Sequence, residues 1–193
     1  MRTTTGSIDL VDEATAGNLA RAALVAALIG AFAYVSFPNP FSPAPITLQV
    51  LGVLLAGILL GPKWGAGAVV LYLAAGAIGA PVFSGGSAGL GVLFGPRAGF
   101  LWSFPIAAAA IGLVVHRGTE LRDVGAVSVS ILVLAMLVGT AIIYTLGILG
   151  LMLVLELGFV EAVLVGAVAF LPAEAVKIAA AVGIVRSDAI AAT

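Results

Sequence analysis

The chain has no cysteine, one histidine and very few charges. The lack of cysteine excludes disulfides, thiolate metal sites and cysteine nucleophiles. The lone His116 leaves little scope for a multi-histidine metal centre. Charged residues make up 9% of the 193 residues, against roughly 25% in soluble domains. Neither sign dominates, since the formal net charge is −1. There is no basic run either, so no nucleic-acid partner is expected. A G-x-x-x-x-G-K-[ST] phosphate loop is also missing. Energy for any uphill transport is therefore expected from an ion gradient or from another polypeptide.

What fills the chain is apolar. Hydrophobic residues reach 62% and the mean hydropathy is +1.26, which leaves too little polar surface to coat a soluble globule. The lipid bilayer is the implied solvent. The opening stretch "MRTTTGSIDLVDEATAGN" is polar and acidic, so the first apolar run is expected to be a retained span rather than a cleaved signal. At about 20 residues per crossing, six spans are expected at 19–37, 46–61, 64–80, 98–115, 124–150 and 159–186. The expected class is an all-α integral membrane protein of six transmembrane helices, with tails at 1–18 and 187–193 around a domain at 19–186. The second and third spans are short and joined by "GPKWG", where Gly61 and Pro62 stop one helix and Lys63 with Trp64 suit an interfacial anchor. A kinked hairpin that never fully crosses is the alternative there.

Arg2, Arg21, Lys63, Arg117, Arg122 and Arg186 fall on one side of that topology and only Arg97 on the other. The positive-inside rule then puts both termini in the cytoplasm. Two outer connections stand out. "FPNPFSPAPITLQ" (37–49) packs four of the nine prolines into eight residues and should be extended and semi-rigid. "GAPVFSGGSAGLGVLFGPR" (79–97) is glycine-rich yet apolar; it either packs on helix ends or walls a ligand pocket. Within it, "GGSAG" (85–89) matches G-x-S-x-G. A nucleophile elbow needs a histidine within reach, and His116 is expected at the opposite end of a span. Catalysis by Ser87 is thus a weak reading, and no enzyme activity is expected.

Two features of the spans ask for partners. Ala22, Ala26 and Gly30 form one small-residue stripe on the first helix, and Ala23, Ala27 and Ala31 an adjacent one. Small residues four apart let helices approach closely in lipid, within the chain or against another subunit. In "FLPAEAVKIAAA" (170–181), Glu174 and Lys177 share a helix face, at roughly 2.5–3.5 kcal/mol each at the centre of a span. They form either a mutual ion pair or part of a polar ligand pocket with Arg97 near its rim. Such a pocket suits a small anion with a second polar end.

The run "PITLQVLGVLLAGILLGPKWGAGAVVLYLAAGAIGAPVFSGGSAGLGVLFGPRAGFL" (45–101) resembles the central signature of the BioY family, the biotin-specific substrate-binding components of energy-coupling factor transporters. "FLPAEAVK" resembles that family's last-helix pattern, with Ala173 in place of a glycine and Glu174 in place of an aspartate. The resemblance covers 19–186. It implies a six-helix fold in the plasma membrane that binds biotin near the outer surface. Partners implied are a transmembrane coupling subunit and cytoplasmic ATPases of the ATP-binding cassette class, with self-association also open. The helix-one stripe matches the family's docking motif, which points to Ala22, Ala23, Ala26, Ala27 and Gly30. Glu174 and Lys177 are expected on biotin's ureido ring and Arg97 on its carboxylate; the opposite polarity, with Lys177 on the carboxylate, stays open. Phe83, Phe94 and Tyr72 are expected along the apolar middle, Gln49 and Ser84 as neutral hydrogen-bonding groups, and Gly85 and Gly86 as close backbone. No cofactor is expected. A stand-alone, proton-coupled transporter of biotin or a similar anionic vitamin, with Glu174 carrying the proton, is the rival reading.

Overall fold

In lipid, backbone polar groups must find partners inside the chain, which restricts spanning segments to helices or closed barrels. The computed structural model describes residues 12–42 and 44–187, and it takes the helical solution. The principal helices are α1 (Glu13–Phe32), α2 (Gln49–Ala77), α3 (Ala98–His116), α4 (Val129–Leu155), α5 (Phe159–Gly166) and α6 (Leu171–Val185). Five segments are long and apolar enough to cross a bilayer: α1, α2, α3, α4 and the stretch Phe159–Val185. Helix α2 packs against α1 and α3, and α3 against α4. Arg2 and the residues after Ser187 lie outside the described residues.

Helix α1 starts earlier than the expected residue 19. Asp12 caps it, its carboxylate accepting the Thr15 N–H at 2.5 Å, which satisfies one of the orphan donors at a helix start.

The segment α2 is two helical arms that meet at a kink rather than one straight helix. A straight helix separates residues 49 and 72 by roughly 35 Å; here the Gln49 amide donates to the Tyr72 hydroxyl at 2.5 Å. The chain therefore folds back on itself. The reversal sits at Gly61, with φ 71° and ψ −174°, a conformation open to glycine alone at low cost. Pro62 follows and has no N–H, so the Ile58 carbonyl loses its helical donor. His116, buried at the end of α3, supplies the replacement: its Nε2–H donates to the Ile58 carbonyl at 2.9 Å. The other ring nitrogen, Nδ1, accepts the Arg122 N–H at 3.0 Å. The turn is thus locked from a different helix.

Lys63, Arg117, Arg122 and Arg186 gather at this end of the molecule, where Arg186 donates to the carbonyls of Gly125 and Val127. At the opposite end, a two-residue antiparallel ladder pairs β1 (Ser36–Phe37) with β2 (Ile46–Thr47). It clasps the base of the proline-rich stretch, which is non-helical over 38–42 but turns there instead of running extended, the Ser42 N–H donating to the Asn39 carbonyl at 3.4 Å; Pro43 lies outside the described residues.

The stretch expected as one span at 159–186 is broken. Helix α5 ends at Gly166, Ala167 leaves helical geometry (φ −129°, ψ −60°) and a 3-10 turn covers Val168–Phe170. Pro172 then lies in the first turn of α6, where its missing N–H costs nothing. Asn39 of the proline-rich stretch donates to the Ala169 carbonyl at 3.3 Å, tying that strap to the break.

Helix α1 separates its two alanine stripes. Ala22, Ala26 and Gly30 are buried against the rest of the chain, and a Cβ at Gly30 would press on Val82 at 3.1 Å. Those three are corrected out of the docking set, because the chain's own helices already cover them. Ala23, Ala27 and Ala31 face outward.

Candidate functional site

The break before α6 brings Glu174 and Lys177 to a depth where both are buried, at 3% and 4% exposure. Lys177 Nζ donates to Glu174 Oε1 at 2.6 Å. The pair is monodentate: among the described residues Glu174 Oε2 has no partner, and one of the three ammonium donors is used. Leaving a buried carboxylate oxygen unpaired is costly, so the arrangement is incomplete as a self-contained ion pair.

Both residues lie on the wall of a cavity. The cavity is continuous on one side with the outside and lies between the strap, the loop before α3 and helices α2, α3, α4 and α6. Its wall carries Gln49, Phe83, Ser84, Arg97, Glu174 and Lys177 from the expected set. Ser84 Oγ, like Glu174 Oε2, is buried without a partner. Arg97 is held in place: Nη1 donates to the Ser84 carbonyl at 2.8 Å and Nη2 to Ser87 Oγ at 3.2 Å. Gln49 is oriented by Tyr72 and by Thr47, whose hydroxyl donates to Gln49 Oε1 at 3.0 Å.

Four expected residues sit elsewhere. Tyr72 stands behind the wall, bonded to Gln49 and edge-on to Phe83 at 5.6 Å between ring centroids. Gly85 borders an adjoining compartment. Gly86 faces Tyr34. Phe94 is 73% exposed, because the 3-10 turn Leu90–Phe94 buries Leu93 on its inner side and turns Phe94 out. Ser87 serves as scaffold, donating to the Ser84 carbonyl at 2.9 Å. His116, the full length of α3 away, is roughly 28 Å distant.

The structure adds residues that sequence reasoning missed. Phe100, Tyr144 and Phe170 line the cavity as an aromatic row, with centroid separations of 6.5 Å and 6.4 Å. Gly147 makes the room for the Phe100 ring. A signal existed for Tyr144, the sole aromatic residue within an otherwise aliphatic α4. Chemically, the wall offers a carboxylate acceptor, an ammonium, a guanidinium and a hydroxyl set among apolar and aromatic side chains. This fits a ligand with a polar ring, an apolar middle and an anionic tail.

Comparison with known proteins places the chain in a family. The sequence pattern of the BioY family matches residues 3–192. The biotin transporter BioY of Rhodobacter capsulatus is 48% identical over 134 residues, 69% of this chain and 68% of that protein. The biotin transporter BioY of Rhizobium etli is 40% identical over 162 residues, 83% of this chain and 86% of that protein. Among solved structures, the S-component for biotin from an ECF-type ABC transporter superposes with a TM-score of 0.77 at 27% identity, covering 92% of this chain and 93% of that one. With a family pattern spanning nearly its whole length, the chain belongs to the BioY family.

Proposed function

We propose that this chain is the biotin-binding substrate component of an energy-coupling factor transporter in the plasma membrane. It captures the vitamin from outside and delivers it inward with partner subunits. The observation that carries the reading is the half-satisfied Glu174–Lys177 pair on the wall of a largely apolar cavity that is open on one side. Biotin's ureido ring supplies what is missing, since its N–H groups meet Glu174 Oε2 and its carbonyl meets a free donor of Lys177. The fused rings lie along Phe100, Tyr144 and Phe170. The valerate carboxylate reaches Arg97 and the unpartnered hydroxyl of Ser84.

Topology and partners follow from the same layout. The two arms of α2 count as separate crossings, which makes six in total with both termini in the cytoplasm. The gathering of Lys63, Arg117, Arg122 and Arg186 at one end supports that orientation. The outward stripe of Ala23, Ala27 and Ala31 is the surface for a transmembrane coupling subunit, which in turn links to ATPases.

Radiolabelled biotin added to the purified protein tests the central claim. Saturable, stoichiometric binding is expected, and no binding at micromolar ligand rejects it.

A further inference from the structure

A second compartment opens directly from the first. The two share the wall formed by Ser84, Arg97, Phe100 and Phe170. Beyond Arg97 the second runs on between the ends of α4 and α5, past Leu151, Leu155, Val165 and Gly166. None of these four lines the first compartment. Gly166 lets α5 pack closely on α4 at this wall, since a Cβ there would approach the Leu151 side chain at 2.7 Å.

The junction between the compartments is polar and under-used. The Arg97 guanidinium spends bonds on the Ser84 carbonyl and Ser87 Oγ, leaving further N–H donors of its five. Ser84 lines both compartments, and among the described residues its buried Oγ has no partner. A hydroxyl both donates and accepts. It can therefore donate to a carboxylate or accept from an amide N–H at the same spot.

A carboxyl group docked at Arg97 has its alkyl chain in the first compartment, and its second substituent position faces the other. In the free acid that position holds an oxygen. In an amide it holds a nitrogen carrying a chain, and the amide carbonyl still accepts from Arg97. Given the biotin reading above, on which this rests, we propose that the second compartment is a subsite for the distal arm of carboxyl-substituted biotin. The chain then takes amides of biotin with primary alkylamines as well as the free vitamin. The apolar walls at Leu151, Leu155 and Val165 suit a short methylene chain, and the open mouth suits a polar end beyond it.

The test uses the full-length protein in detergent or nanodiscs, with labelled biotin displaced by unlabelled biotin or by biotin amide-linked to the ε-amino group of lysine. Wild type is compared with Leu155→Trp and Val165→Trp, which fill the second compartment alone. The amide is expected to compete in wild type. In at least one tryptophan variant its affinity should fall by about 10-fold or more, the scale of a few lost apolar contacts, while the affinity for biotin stays within about twofold. That unchanged affinity also shows that the variant is folded. An amide that fails to displace biotin from wild type overturns the subsite. So does an amide that competes equally well in all three proteins, or parallel loss of both ligands in both variants. Wild type that binds no biotin at all rejects the vitamin reading itself, a result separate from the other three.

Discussion

The two ends of the molecule treat buried polar groups in opposite ways. At the Gly61 end the matching is complete: both His116 nitrogens are bonded, and Pro62's missing donor is replaced. Arg186 covers two loop carbonyls. At the Glu174 end the matching is deliberately short. Among the described residues, three buried side-chain atoms lack a partner, and two of them, Ser84 Oγ and Glu174 Oε2, belong to residues on the wall of the same cavity. The third, Thr140 Oγ1, lies outside it. Inside a membrane, a polar group that is fully bonded within the chain holds the fold, and one left open on a residue of the cavity wall can be completed by a guest.

The largest expected effect breaks the open end. Lys177→Met strands the Glu174 carboxylate in an apolar site, which should lower stability by about 3 kcal/mol or more and abolish biotin binding. The double change Glu174→Gln with Lys177→Met removes both charges. It should recover stability to within about 1 kcal/mol of wild type without recovering binding. Thermal unfolding in detergent, paired with a radioligand assay, separates the two. A double variant that still binds like wild type would make the pair purely structural.

The next probe breaks the closed end. His116→Ala leaves the Ile58 carbonyl and the Arg122 N–H unmatched and should cost about 2 kcal/mol of stability. Biotin affinity of the folded fraction is expected to stay within about twofold. Affinity loss at unchanged stability would refute the division between the ends. A smaller effect is expected for Arg97→Lys, which keeps the charge and loses the fork gripping both the Ser84 carbonyl and Ser87 Oγ. Biotin affinity should weaken about 10-fold, or 1.4 kcal/mol. The methyl ester of biotin, lacking the anionic end, should lose less between the two proteins.

Legibility from the sequence follows the same physics. Gly61-Pro62 announced the fold-back of α2 because only glycine takes that backbone angle and proline cannot donate behind it. Glu174 and Lys177 announced themselves because charge in lipid demands a reason. Phe100 and Phe170 did not. In a bilayer the outward face of a helix is as apolar as the inward one, so composition carries no pointer to the cavity. The loop hid its register for a related reason: Phe83 and Phe94 look alike in the sequence, yet the local 3-10 turns bury one and expose the other. The break at Ala167 was half visible, in Pro172 alone. Adjacent alanine stripes on α1 were also indistinguishable until their neighbours fixed which one is covered.

That last ambiguity yields the smallest expected effect on the isolated protein and the sharpest contrast between neighbouring positions. Ala26 is 7% exposed against the chain's own core, so Ala26→Leu overpacks it and should cost about 1–3 kcal/mol. Ala27 is one residue away on the outward face, where a larger apolar side chain meets lipid. Ala27→Leu should leave both stability and biotin affinity unchanged in purified protein. In cells that also express the coupling subunit and ATPases, the same change should sharply reduce biotin uptake, because the close helix approach that small residues allow is lost. Measuring binding and uptake side by side decides the matter. If Ala27→Leu supports normal uptake, the partner does not dock on this stripe, and the outward alanines are simply lipid-facing.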